Sequence, residues 1–498
     1  MTIETTSIGA AQAKNPKVRE WLESLTPGLL IGGKWVPAQS GKTFESINPA
    51  TEQVLTHVAE ADAADVDEAV RAARAAFEGP WSRTSPHERG AYLRRLAGLM
   101  EAHADELAEL ETLDNGMTIG TAQAFVSQSI ESLIYFAGAA AHVSGHTQPS
   151  APTFFNYTVR EPIGVCAGIT PWNGPLQMAI WKMAPAIAAG NTVILKPAEQ
   201  TPLSALRLGE LVMEAGIPDG VVNVLTGFGP GAGSAIASHP GIDKVAFTGS
   251  TEVGKQILQA STGNLKRVSL ELGGKSPNIV FPDADVEKAL PASMAAFSVL
   301  SGQVCVAGTR LFVQQDFKDE FVDQLATFTS GIKVGDPFDP ETTMGPLSSK
   351  EQFDRVQGYF SVGKDEGATA RVGGGTIGGT GYYVQPTIFD GVTPDMRIAR
   401  EEIFGPVVSV IPFSDEYDAV LQGNDTNYGL GAAVWTSDVS RALTVARQLK
   451  AGMVWINNYL TTDPTMPFGG YKESGIGREQ GPNWYHQYTE EKAVFISL

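Results

Sequence analysis

An α/β fold with more than one domain is what this sequence predicts, and three observations carry the prediction. Between residues 164 and 280, short apolar strands ("GVCAGITP", "NTVILKP", "VVNVLTG", "DKVAFTG") alternate with helical stretches such as "TPLSALRLGELVMEAG". Such βαβ order implies a mostly parallel sheet covered by helices. A second α/β stretch begins near Lys275 and runs to about Gly470. Finally, 498 residues exceed what one hydrophobic core usually supports.

The elements follow in order. "LLIGGKWVPAQSGKTFESINPATEQVLTHV" reads as short strands separated by Gly and Asn-Pro turns. From Ala63 to about Leu113 the pattern turns helical, with Ser85 as an N-cap, Pro86 at the first helical position and a stop at Asn115-Gly116. Leu203, Leu206 and Val212 fall near one face of a helix started by Thr201 and Pro202. The tail "EEKAVFISL" is strand-like, and an apolar terminal strand tends to add to a sheet edge, another subunit's edge included.

Composition narrows the function. Hydrophobic content of 43% with 18% charged residues is ordinary for a globular protein and argues against long disorder. A net charge of −19 disfavours nucleic-acid or anionic-membrane partners. No run of about 18 apolar residues exists to span a bilayer. The opening segment has neither an apolar h-region nor an early arginine cluster, so no secretory or transit peptide is expected. Two cysteines cannot build a disulfide framework, and they lack zinc-like spacing. The expectation is no metal and a reducing, cytoplasmic setting in which a thiol stays free.

Chemistry concentrates at a few motifs. In "VAFTGSTEVGKQI" a strand ends at Thr248-Gly249, and Ser250 can cap a helix carrying Val253, Gly254 and Ile257. Amides at such a helix start attract an anion such as pyrophosphate, although an ordinary strand-to-helix turn reads equally well on local grounds. "GFGPGAG" does not complete G-x-G-x-x-G. "NTVILKPAEQTP" ends a strand with Lys196 and Glu199. A carboxylate there can accept from both hydroxyls of an adenosine ribose and repel a 2′-phosphate, pointing to NAD over NADP, while Lys-Pro-Ala-Glu alone is also an ordinary polar loop.

Cys166, in an apolar strand, reads as a small buried hydrophobe. Cys305 differs because Gly302, Ala307 and Gly308 leave room beside its sulfur. No histidine lies near it, against a papain-like hydrolase. Glu271, in "VSLELGGKSPNIVF", is flanked by apolar residues that should raise its pKa into the range of a general base, its alternative role being a cap on backbone amides. Asn173 follows the "GVCAGITP" strand and offers an amide N–H to an oxyanion, alongside the N–H of Cys305 itself. Thiol, base and oxyanion donor together suit an acyl-thioester mechanism.

In order along the chain, "TPWN", "LKPAEQTP", "FTGSTEVG", "LELGGKSP", "GQVCVAGTR", "EEIFGPV" and "PFGGYKESGIGRE" resemble the landmarks of the NAD(P)-dependent aldehyde dehydrogenase superfamily, in its hydrolytic, non-acylating branch, from about Leu30 to the C-terminus. The resemblance implies that Cys305 attacks an aldehyde to give a thiohemiacetal, with the oxyanion held by Asn173 and the Cys305 amide. Hydride then passes to the nicotinamide, and Glu271 activates water to release the acid from the thioester, with Lys182 relaying protons. It also implies Lys196 and Glu199 at the adenosine ribose, Trp172 along the cofactor cleft, Gly249 and Ser250 at the pyrophosphate, Glu402 at the nicotinamide ribose and Phe404 under the ring. Ile169, Thr170, Gly229, Gly233, Phe247, Val253 and Leu272 complete the expected cofactor contacts.

One departure stands out. Many relatives carry an aromatic residue after the asparagine, where this chain has Gly174. Its loss should widen the substrate tunnel unless another side chain refills the space. Met178, Trp181, Val304, Val306, Tyr459 and Phe468 are the other expected tunnel residues, none of them charged. Bulky hydrophobic aldehydes, aromatic or terpenoid, are therefore expected over acetaldehyde. The rivals are an acylating, coenzyme A-dependent enzyme, which Glu271 argues against, and a catalytically silent structural homologue. The fold implied is a Rossmann-like NAD-binding domain (29–140 and 161–273) after an extension (1–28). An α/β catalytic domain (274–473) and a β bridging element (141–160 and 474–498) follow, the last building a homodimer or homotetramer.

Overall fold

The computed structural model describes residues 9–498, and the first eight residues of the extension expected over 1–28 lie outside the described residues. Before the first sheet, Pro16–Ser24 forms a helix capped by Asn15, and the Lys14 and Asn15 amides donate to Glu109.

Around the first sheet run β1 (Leu29–Ile31), β2 (Lys34–Val36), α1 (Ala104–Asn115), α2 (Ile119–Ala139), β3 (Val165–Ile169), α3 (Pro175–Ala189), β4 (Thr192–Lys196), α4 (Leu203–Glu214), β5 (Val222–Val224), β6 (Lys244–Thr248), α5 (Thr251–Ala260) and β7 (Arg267–Glu271). The strand order is β2-β1-β5-β4-β3-β6-β7, followed by the short strand Gly475–Ile476. From β5 to β7 all neighbours are parallel, while β1 and Gly475–Ile476 add antiparallel at the two sides. Every residue of β3 and β4 is buried, as a strand covered by helices on both faces requires. The order reverses between β3 and β6, and in open α/β sheets the crevice for a ligand lies beyond the carboxyl ends at that reversal.

Helix α3 lies directly on β3. Gly168 makes this close approach: a Cβ there would sit 2.7 Å from the Lys182 Cβ, so any side chain would push the helix away. The helix starts with Pro175 at its first turn and stops at Gly190, whose φ of +100° is left-handed.

The second sheet holds β8 (Pro277–Val280), β9 (Arg310–Gln314), β10 (Thr369–Val372), β11 (Thr387–Asp390), β12 (Val407–Phe413), β13 (Gly431–Trp435) and β14 (Met453–Ile456), in the order β10-β11-β12-β9-β8-β13-β14. Only β10 is antiparallel to its neighbour. A three-stranded antiparallel sheet is made by Thr147–Gln148, Phe154–Pro162 and Thr489–Ser497, so the terminal strand pairs within this chain. No helix among the described residues is long and apolar enough to cross a membrane.

Candidate active site

The carboxyl edge of the first sheet faces loops that lead into the strands of the second. Asn173 lies in the loop after β3, and Glu271 is the last residue of β7, in register beside Thr248 of β6. Cys305 comes from the segment just before β9, and Glu402 and Phe404 from the segment before β12. All of them line one cavity of about 630 Å³.

Local conformation explains how the thiol reaches it. Leu300 and Ser301 both adopt left-handed backbone angles (φ +52° and +55°), and Gly302 follows at +72°. Two non-glycine residues held there cost about 1–2 kcal/mol each, offset by surrounding contacts. The Ser301 hydroxyl donates to the Gly345 carbonyl (2.8 Å), and the Gln303 side chain accepts from the Ser348 amide (3.0 Å). Gly274 permits the rest: a Cβ there would lie 2.3 Å from the Cys305 carbonyl oxygen. Asn173 is tied to the same segment, its Nδ2 donating to the Gln303 carbonyl at 2.8 Å.

Charge in the cavity is arranged around neutral forms. Burial pushes the Cys305 thiol up to about 12, helped by the carboxylates of Glu402 and Glu271. Both Glu271 carboxyl oxygens are buried without a hydrogen-bond partner. Burial first, then the Glu479 carboxylate, raises its pKa well above the usual carboxylate range, against Lys182 and Arg478. Glu402 is raised by burial to about 7, opposed by the Gly274 amide that donates to it at 2.8 Å and by Lys275 and Arg355. The Trp172 and Phe404 rings meet edge to face, with centroids 5.2 Å apart.

Of the residues expected from sequence, Cys305, Glu271, Asn173, Trp172, Gly249, Ser250, Leu272, Glu402 and Phe404 are on the cavity wall, with Gly174, Met178, Trp181, Val304, Val306 and Phe468. Lys182 is buried behind it, where its Nζ donates to Thr248 Oγ1 (2.6 Å) and pairs with Glu479. A further group continues along the carboxyl edge of the first sheet. Lys196, Ile169 and Phe247 stand in register across β4, β3 and β6. The Thr170 amide donates to the Lys196 carbonyl (3.0 Å), and the Thr170 hydroxyl is buried without a partner. The Lys196 ammonium, its pKa lowered by burial, bonds Glu199 at 3.2 Å. Gly233, closing the Gly229–Gly233 turn, has its Cβ direction 3.8 Å from the Lys196 side chain. Ser250 caps α5 by accepting from the Val253 amide, and Val253 itself is exposed.

Tyr459 corrects an expectation. Its hydroxyl donates to the Val306 carbonyl at 2.8 Å and its ring stacks on Trp455, which holds it behind the wall. The next residue, Leu460, and Thr462 line the cavity instead. The space left by Gly174 also has a neighbour: a Cβ there would touch the Phe125 ring at 3.4 Å, so α2 refills part of it. Sequence reasoning missed Phe125, Gln128 and Gln177, and it missed Glu479, although that residue lies inside the quoted "PFGGYKESGIGRE". The spacing of Thr121, Ala124, Phe125 and Gln128 on one helix face was the available signal for the α2 group.

Comparison with known proteins gives the family. The model of the aldehyde dehydrogenase family matches residues 35–494. An aldehyde dehydrogenase of Emericella nidulans is 52% identical over 474 residues, 95% of each chain. The chain belongs to the aldehyde dehydrogenase family. A putative aldehyde dehydrogenase of Bacillus subtilis is 48% identical over 487 residues, 97% of this chain and 98% of that one. The solved NAD+ complex of an aldehyde dehydrogenase from Bacillus cereus superposes with a TM-score of 0.96 at 48% identity, covering 98% of this chain and 99% of that one.

Proposed function

We propose that this protein oxidises aldehydes to carboxylic acids with NAD, through a thioester on Cys305, and that it prefers bulky hydrophobic aldehydes. The observation that carries the reading is the meeting of a half-buried thiol, an unpartnered buried carboxyl group and a side-chain amide on one cavity wall between two sheets.

The residues fit NAD. The unpartnered Thr170 hydroxyl and the Lys196–Glu199 pair lie at the carboxyl edge of the sheet, on the adenosine side, with Glu199 favouring NAD over its phosphorylated form. The capped start of α5 at Gly249-Ser250 suits the pyrophosphate. Glu402, Phe404, Trp172 and Leu272 serve the nicotinamide end, and Ile169, Phe247, Gly229, Gly233 and Val253 complete the cleft. When bound, NAD supplies the oxidant that takes the aldehyde hydrogen as hydride.

The chain's own groups do the rest. A thiol raised to about 12 is neutral at physiological pH, so attack needs a proton acceptor. Glu271, itself raised, takes that proton as the sulfur bonds to the carbonyl carbon. The developing oxyanion receives hydrogen bonds from the Asn173 amide and the Cys305 N–H. After oxidation Glu271 takes a proton from water, which attacks the thioester carbon and releases the acid and the thiolate. Glu479 and Lys182, paired behind Glu271, carry the proton away.

Phe125, Met178, Trp181, Val304, Val306, Leu460 and Phe468 give the remaining wall its apolar character. We also infer a reducing, cytoplasmic setting, which keeps Cys305 reduced, and a homodimer or homotetramer built by the bridging element. The two-sheet division supports an NAD-binding domain over 29–140 and 161–273 and a catalytic domain over 274–473.

Enzyme, NAD and aldehyde without coenzyme A should give sustained NADH formation, whereas arrest after one turnover would favour the acylating reaction. Within the same assay, kcat/KM for a ten-carbon aldehyde should exceed that for acetaldehyde, and the reverse order would refute the size preference.

A further inference from the structure

Two glutamines interrupt the apolar wall. Helix α2 lines the cavity with Thr121, Ala124, Phe125 and Gln128, and α3 lines it with Gln177, Met178 and Trp181 after Gly174 at its start. Both sets follow the three- and four-residue steps of a single helix face. Phe125 meets Gly174, and three residues further along each helix, about 4.5 Å of rise, Gln177 Nε2 donates to Gln128 Oε1 at 2.8 Å. Gln177 is buried, while Gln128 is exposed, so the pair joins a buried position of the wall to an exposed one.

A buried amide among Phe125, Met178 and Trp181 is costly unless its groups are bonded, whereas apolar side chains would fill the same wall without that cost. One mutual bond uses one oxygen and one N–H, whichever way either amide is turned. An acceptor oxygen and several N–H groups are left beside each other. That combination matches a hydroxyl, which donates to one and accepts from the other. The cation of the wall does not compete for it. Arg355, the cation there, is held on the Phe404 side by its bond to the Glu402 carbonyl (2.6 Å).

We infer that Gln128 and Gln177 form a hydrogen-bonding subsite that selects hydrophobic aldehydes carrying an uncharged hydroxyl group on the tail. The inference rests on the reading of this wall as the substrate tunnel. It is tested with matched aldehydes, one member bearing a hydroxyl at successive positions of an aromatic or aliphatic tail and the other lacking it. For each pair the ratio of kcat/KM is compared between the wild type, Gln177→Leu and Gln128→Met, so that electronic effects and any general loss of activity cancel.

At one tail position the wild-type ratio should exceed the ratio in either variant by about tenfold, the worth of one good hydrogen bond. Ratios that are identical in all three proteins at every position overturn the subsite. The more conservative Gln177→Asn, which shortens the amide, should fall between the wild type and Gln177→Leu. Poor turnover of every bulky aldehyde relative to acetaldehyde would instead count against the size preference, a result the ratios do not depend on.

Discussion

Cys305 and Glu271 are each held in the form that is inert alone. Burial keeps the thiol protonated and raises the carboxyl group, and the two shifts share a cause. The proton must leave Glu271 before it can receive one, so activity should rise with pH through an apparent pKa above the ordinary carboxylate range. Below that range Glu271 stays protonated and both thiol activation and thioester hydrolysis slow. Replacing Glu271 with Gln keeps the shape and removes the acceptor. Steady-state turnover should fall by about 10²–10⁴-fold, and the acid limb of the kcat/KM profile should disappear. A variant that retained that limb would transfer the role to another group, Glu479 first.

At the scale of elements, α1 carries a second set of buried carboxyl groups outside the cavity. Asp114 accepts from the Ser46 hydroxyl (2.6 Å) and the Leu203 amide of α4 (2.8 Å), yet burial raises it to about 7. Glu111, with neither oxygen bonded, is raised by burial to about 8, Ser204 of α4 opposing and Asp114 adding to the shift. A folded pKa above the unfolded value near 4.3 means that the protonated form is the one folding favours. This contribution is complete below about pH 4 and is lost as pH rises toward 8. Glu111→Gln abolishes the loss, so the variant should gain on the wild type by about 4 kcal/mol between pH 5 and pH 9, measured by urea unfolding at both. A difference that does not grow with pH would mean that Glu111 is already ionised in the fold. The same scale shows what the sequence could reveal. The strands β1 to β6, the Ser85 and Ser250 caps and the stop at Gly116 were legible because each is written in neighbouring residues. Four features were not. The left-handed Leu300 and Ser301 carry no glycine to announce them. Lys182 and Glu479 meet across 297 residues. Phe125 fills space beside Gly174 only because α2 packs on α3, and Tyr459 turns behind the wall because its hydroxyl finds the Val306 carbonyl.

Across the whole molecule, every group assigned to the reaction comes from one chain, yet the surface is unfinished elsewhere. Thr489–Ser497 pairs residue for residue with Phe154–Pro162 and forms the outer strand of the small sheet, while β14 ends the second sheet. Phe154, Phe155, Phe495, Ile496 and Leu498 are exposed on that small sheet, Phe495 and Leu498 by more than seventy per cent. Unpaired strand edges and a cluster of exposed apolar side chains both favour association, and a two-fold arrangement satisfies the same surface on two protomers at once. Sedimentation at micromolar concentration should therefore give two or four times the chain mass. Phe495→Glu puts a charge into that surface without touching the cavity and should shift the distribution toward monomer. If Phe495→Glu sediments like the wild type, the contact lies elsewhere on the molecule; if the wild type is itself monomeric, the exposed strand needs another explanation.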